Sequence, residues 1–127
     1  MRNLLTPAAF IIEDDGIDRT VLPEMISKER DWNIVEAADA EAALGMLRGA
    51  LRPDLCFLDL QMPQMDGLSL LREIRANPEL RNLRIAVSSA LQDREKIRSL
   101  AELKVAGYLL KPLAMTKVHA ALKTATG

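Results

Sequence analysis

Leu55-Cys56-Phe57-Leu58-Asp59-Leu60-Gln61-Met62-Pro63-Gln64-Met65-Asp66-Gly67 is where the chain declares its architecture. The first four residues form an unbroken apolar run that follows a turn at Arg52-Pro53-Asp54. A run without polar alternation predicts a strand buried on both faces, as in a parallel sheet. Asp59 then falls at the strand's carboxyl end, the edge at which open α/β sheets bind their ligands. Pro63 lacks a backbone N–H and presets a turn, so the chain leaves the sheet at once. Asp66 is placed to cap the following helix, whose apolar residues Leu68, Leu71 and Ile74 recur at helical spacing. One carboxylate is thereby held at a strand tip beside a rigid turn.

The same pattern repeats along the chain. Ala8–Ile12 is a second apolar run, ending in the acids Glu13-Asp14-Asp15. A helix follows with Ile17, Val21 and Met25 at helical spacing, and Pro23 is expected to kink it. Asn33–Ala37 reads as a short strand. Asp39 caps an alanine-rich helix whose inner face is Ala43, Leu44, Leu47 and Leu51. After the Asp59 strand and its helix, Asn77-Pro78 is a stop signal. Leu83–Val87 gives a fourth strand running into Ser88-Ser89-Ala90, and residues 92–103 an amphipathic helix with Ile97, Leu100 and Leu103 inward. Val105–Leu110 is a fifth strand ending at Lys111-Pro112, and a last helix carries Met115, Val118 and Leu122. Five strands alternating with five helices imply right-handed crossovers and a parallel sheet covered on both sides.

Composition narrows the function classes. The chain has 127 residues, 49% hydrophobic and 28% charged, which is globular and fits one domain spanning 1–127 with its core at about 8–124. A net charge of −1 gives no electrostatic case for direct nucleic-acid binding. No run approaches the ~20 apolar residues of a membrane span, so neither membrane insertion nor a signal peptide is expected. The single cysteine, Cys56, lies in a predicted buried strand and suits a reducing cytoplasm.

In a parallel sheet all carboxyl ends point the same way. Glu13 and Asp14, Asp59, Ser89 and Lys111 are therefore delivered to one edge from four strands. Taken singly, each has an ordinary explanation: a solvated acidic turn, a helix cap, a serine turn, a surface Lys-Pro. At successive strand ends they point together to one site.

The residues Glu13-Asp14, Asp59 with Met62-Pro63 and Asp66-Gly67, Ser89-Ala90, and Ala106–Pro112 resemble the receiver domain of two-component response regulators. The spacings agree too, with 30 positions from Asp59 to Ser89 and 22 from Ser89 to Lys111. The resemblance covers essentially the whole chain. It implies a flavodoxin-like (βα)5 doubly wound sheet with strand order 2-1-3-4-5. It also implies that Asp59 accepts a phosphoryl group from a histidine kinase or histidine phosphotransfer protein. Glu13, Asp14, Asp59 and the backbone carbonyl of Gln61 would hold Mg²⁺, whose preference is for hard oxygen donors. Lys111 and Ser89 would contact the phosphoryl oxygens. In that family a basic residue commonly follows the second acid by five positions, as Arg19 follows Asp14. That selects Glu13 and Asp14 as the pair and leaves Asp15 to the loop.

The family further implies a switch: Ser89 moves toward the phosphate, Tyr108 turns inward, and the surface of the fourth helix, fifth strand and fifth helix changes for a downstream effector protein. Serine replaces the more usual threonine at position 89 and keeps the hydroxyl. Gly107 and Pro23 are further departures, the latter on a helix that often meets kinases. His119 reads as a packing or surface residue, Trp32 as core edge, and the arginines at 72, 75, 81 and 84 as a solvated face. Because the acids repel one another, Mg²⁺ is expected to raise the melting temperature.

Two other functions fit parts of the pattern. A haloacid dehalogenase-type phosphatase uses the same nucleophile but needs a second aspartate two residues later, where this chain has Gln61. A receiver-like scaffold that is never phosphorylated would have no need of Asp59, Ser89 and Lys111 together. The expectation is a signalling switch rather than an enzyme, acting alone or as a piece of a longer regulator.

Overall fold

The computed structural model describes residues 6–29, 31–62, 67–90 and 94–126. Ten elements alternate. They are β1 (Ala8–Ile12), α1 (Gly16–Ser27), β2 (Asn33–Ala37), α2 (Ala40–Arg48), β3 (Leu55–Asp59), α3 (Gly67–Ala76), β4 (Ile85–Ser89), α4 (Arg94–Glu102), β5 (Gly107–Leu110) and α5 (Met115–Thr126). The five strands form one sheet in the order β2-β1-β3-β4-β5, and every pairing is parallel. The all-parallel sheet is what the alternation predicts, and the strand order is the flavodoxin-like one that the receiver-domain resemblance implies.

The apolar strands read as they do because both sheet faces are covered. Phe10, Ile12, Cys56, Leu58, Ile85 and Val87 face one side, where they pack with Leu44 and Leu47 of α2, Leu71 and Ile74 of α3, and Leu100 of α4. The intervening residues Ala9, Ile11, Leu55, Phe57 and Ala86 face the other, against Leu22 and Ile26 of α1 and Val118 and Leu122 of α5. Alternate side chains point to opposite faces, so a continuous apolar sequence is what two cores require. Cys56 is a buried free thiol, and burial pushes its pKa up to about 12.

Local details depart from the sequence expectation in instructive ways. The buried stripe of α1 is Leu22 and Ile26, not the Ile17–Val21–Met25 line: Ile17 is 74% exposed. The helix continues through Pro23 to Ser27. Helix α2 ends at Arg48, so Leu51 lies beyond it and packs against the core from the connecting segment. Met115 opens α5 as an exposed residue, and the helix turns Val118, Ala121 and Leu122 to the interior instead. The expected Asp66 cap and the Met62-Pro63 turn lie partly outside the described residues.

Arg75 corrects another expectation. Its Nε donates to Leu103 O at 2.7 Å, its Nη1 to Leu83 O at 2.7 Å and Arg81 O at 3.0 Å, and its Nη2 to Lys104 O at 3.3 Å. The guanidinium fork ties the end of α3 to the segments entering β4 and β5, rather than lying on a solvated face. Of the other two packing residues, Trp32 is buried just before β2, and His119 Nε2 lies 3.0 Å from Met25 O, joining α5 to α1.

Candidate functional site

The carboxyl edge of the sheet carries the site, and backbone bonds fix each residue there. Glu13 N donates to Ala37 O at 3.1 Å, Leu60 N to Ser88 O at 2.9 Å, and Lys111 N to Ser89 O at 2.8 Å. These bonds extend the parallel ladders past the strand ends, so the residue after each strand has a defined direction. Asp15, the third acid, is spent locally: its Oδ1 accepts from Ile17 N at 2.8 Å and caps α1. Glu13 and Asp14 cluster with Asp59. Arg19 itself donates from Nη1 to Glu13 O at 3.4 Å.

Glycine is required at 67 by the close approach of α3 to β3. A Cβ at this position would overlap the Asp59 carbonyl oxygen and the Leu60 Cα, and Gly67 N donates to Leu60 O at 3.2 Å. Helix α3 therefore rests directly on the backbone that presents Asp59.

Carboxylate oxygens of Glu13, Asp14 and Asp59 all lie within 4.8 Å of one another. Glu13 is 3% exposed and Asp59 2%. Burial, followed by the hydrogen bond to and charge on Asp59, pushes the Glu13 pKa up to about 8. Burial and the Asp59 charge also raise that of Asp14, the least buried of the three. A cluster of oxygen donors that resists ionising fully by itself is chemically suited to a hard divalent cation, which offsets the repulsion.

Lys111 supplies the only ammonium in the described part of this cluster. Its Nζ lies 2.8 Å from Asp18 Oδ2, 3.3 Å from Glu13 Oε2 and 3.4 Å from Asp59 Oδ2. Burial lowers its pKa, but the hydrogen bond to Asp18 and the charges on Asp59, Glu13 and Asp18 outweigh this and hold it above the ordinary lysine range. The Lys111–Pro112 peptide is cis. Asp18 is not legible as a site residue, being one helical acid among several; its position in the first turn of α1 brings it within ion-pair distance of the lysine.

Ser89 is buried at the end of β4. Its Oγ donates to Gln61 Oε1 at 3.4 Å, and Ala90 N donates to the same oxygen at 2.8 Å. Gln61 N in turn donates to Asp59 Oδ1 at 2.9 Å. The sequence assigned Gln61 only a backbone role; its side chain also bridges β3 to β4. Tyr108 is half-buried on β5, opposite Val87 in the register, and packs against the cluster on the α2–α3 side of the sheet.

Comparison with known proteins agrees with this geometry. A family model described as the response regulator receiver domain matches residues 9–123. The probable transcriptional regulatory protein TcrX of Mycobacterium tuberculosis is 34% identical over 118 residues, covering 88% of this chain and 47% of TcrX. Chemotaxis protein CheY-3 of Vibrio cholerae is 35% identical over 105 residues, covering 81% of this chain and 78% of CheY-3. The chain spans about half the length of the first curated relatives it matches. Among solved structures, the phosphorylated cyanobacterial phytochrome response regulator RcpA superposes with a TM-score of 0.80 at 27% identity, over 94% of this chain and 90% of RcpA.

Proposed function

The chain belongs to the response regulator receiver domain family, and from that premise we propose that Asp59 is its phosphoacceptor. The observation that carries this is the placement of one nearly buried carboxylate, Asp59, within reach of two further acids and 3.4 Å from the Lys111 ammonium. In the transfer, an Asp59 carboxylate oxygen bonds to phosphorus as the bond from phosphorus to the donor's imidazole nitrogen breaks. The leaving nitrogen keeps the bonding pair, a proton already on the other ring nitrogen makes the product neutral imidazole, and the acyl phosphate stays on Asp59.

Positioning and charge neutralisation dominate such chemistry, because the protein has little covalent work to do. Lys111 balances charge that builds on the phosphoryl oxygens. The Ser89 hydroxyl at the end of β4 and the Ala90 N–H just after it are neutral donors available to the phosphoryl oxygens. Glu13, Asp14, Asp59 and the Gln61 backbone carbonyl would hold Mg²⁺, which when bound neutralises the acids and aligns phosphate with nucleophile. The donors are histidine kinases or phosphotransfer proteins, and the readout is an effector protein recognising the α4–β5–α5 surface through Ser89 and Tyr108. On this reading the chain is a cytoplasmic switch that assists its own phosphorylation, not an enzyme acting on other substrates. No helix among the described residues is long and apolar enough to cross a membrane.

Incubating the protein with acetyl phosphate, with and without Mg²⁺, and measuring intact mass tests the proposal. A single phosphoryl increment that needs the metal and disappears in Asp59→Asn is expected. Turnover of added phosphoesters without an adduct would instead favour a phosphatase, and inertness a scaffold.

A further inference from the structure

The contacts of the Gln61 side chain have a consequence beyond phosphate acceptance itself. Its Oε1 lies 2.8 Å from Ala90 N and 3.4 Å from Ser89 Oγ, while its own backbone N–H holds Asp59 Oδ1 at 2.9 Å. The carboxamide oxygen thus sits one residue-pair away from the nucleophile. It accepts from the donors that end β4, the strand paired with β3 at Asp59 and Ser88. We infer that Gln61 is a resting-state stand-in for a phosphoryl oxygen: its carboxamide occupies the Ala90 N–H and must be displaced when Asp59 is phosphorylated. The inference rests on the phosphoacceptor proposal and adds a positioning residue to it.

The physical case is one of unequal acceptors and easy release. An anionic phosphoryl oxygen is a stronger acceptor for an N–H than a neutral amide oxygen, so the exchange runs toward phosphate once Asp59 carries it. Gln61 is largely exposed, unlike Asp59 and Ser89. Its departure therefore opens no core, and the two donors it releases, the Ala90 N–H and the buried Ser89 hydroxyl, are left to the incoming phosphoryl oxygens. A contact present only in the unphosphorylated state biases the two-state equilibrium toward that state. Removing it should favour the phosphate-bound arrangement without touching the acids.

Gln61→Met keeps the backbone carbonyl and the approximate length while deleting the acceptor, and Gln61→Glu keeps an acceptor. The probe is beryllofluoride with Mg²⁺, a non-reacting mimic of an acyl phosphate, titrated by tryptophan fluorescence or calorimetry. The Met variant should bind roughly threefold to tenfold more tightly than wild type, the size of one net hydrogen bond; the Glu variant should not. In the absence of probe, the Ala90 amide should exchange with solvent faster in the Met variant by a similar factor, a change that altered packing elsewhere would not confine to Ala90. Equal or weaker beryllofluoride binding by the Met variant, or unchanged Ala90 exchange, overturns the stand-in role alone. A wild type that binds no beryllofluoride in Mg²⁺ contradicts the phosphoacceptor proposal, and the stand-in falls with it.

Discussion

Lys111 is held more closely by Asp18, at 2.8 Å, than by Asp59, at 3.4 Å. The ammonium that phosphoryl transfer needs is shared, at rest, with an acid of the first helix. Asp18→Asn should free it to follow the phosphoryl group. The expected effect is a faster initial rate of phosphorylation by acetyl phosphate, by up to about fivefold, the scale of a partly exposed ion pair. A slower rate would show that Asp18 orients the lysine for transfer rather than diverting it.

The acidic cluster sets a pH dependence in the metal-free protein. An unfolded Glu13 carboxyl titrates near its ordinary 4.5, and the folded one near 8. Between those values the folded chain keeps a proton that the unfolded chain has released, so stability falls as pH rises from about 4.5 to about 8 and levels off beyond. Urea unfolding in EDTA at successive pH values should show this decline, and Glu13→Gln should flatten it. Millimolar Mg²⁺ should restore stability mainly at the high-pH end, where the acids are ionised. A metal-free midpoint that does not fall across this range would contradict the assignment.

Gly67→Ala should destabilise the fold by about 1–3 kcal/mol, the usual cost of forcing atoms into a filled space. Because the added methyl meets the backbone of Asp59 and Leu60, it should also slow phosphorylation. An alanine variant with wild-type stability and wild-type adduct formation would show that α3 can shift freely away from β3.

Arg75 lies far from the acids and should matter only to stability. Arg75→Leu leaves the carbonyls of Leu83, Arg81 and Leu103 without their donor, at about 1–3 kcal/mol by chemical denaturation. Arg75→Lys should recover little, because one ammonium cannot span the fork. Phosphorylation of either variant, measured where it is fully folded, should match wild type.

Much of this was legible in the sequence because parallel sheets convert strand order into geometry. Apolar runs at 8–12 and 55–58 fix two central strands, and the polar residues just after them meet at one edge. Short-range capping is legible at Asp39, whereas Asp15, which the sequence leaves to the loop, also caps a helix. The inner faces of α1 and α5 were harder. Ile17 and Met115 lie in the first turns of their helices and are exposed, so an apolar residue there does not mark the buried face. Long-range side-chain contacts were not legible at all. Arg75 reaches carbonyls on two segments, Asp18 reaches Lys111 just past β5, and the Gln61 carboxamide reaches the end of β4. A single sequence records such residues only as charged or polar positions, since periodicity says which face a side chain takes and not what it meets there.

The most direct test of the central claim is to locate the phosphoryl group. Protein treated with acetyl phosphate and Mg²⁺ is reduced with borohydride, which converts an acyl phosphate to an alcohol, and the modified residue is found by peptide mass spectrometry. The expected result is reduction at residue 59 alone, in the peptide carrying Leu55–Gln61. Modification at Asp14 or Asp66, or none at any residue, would contradict it.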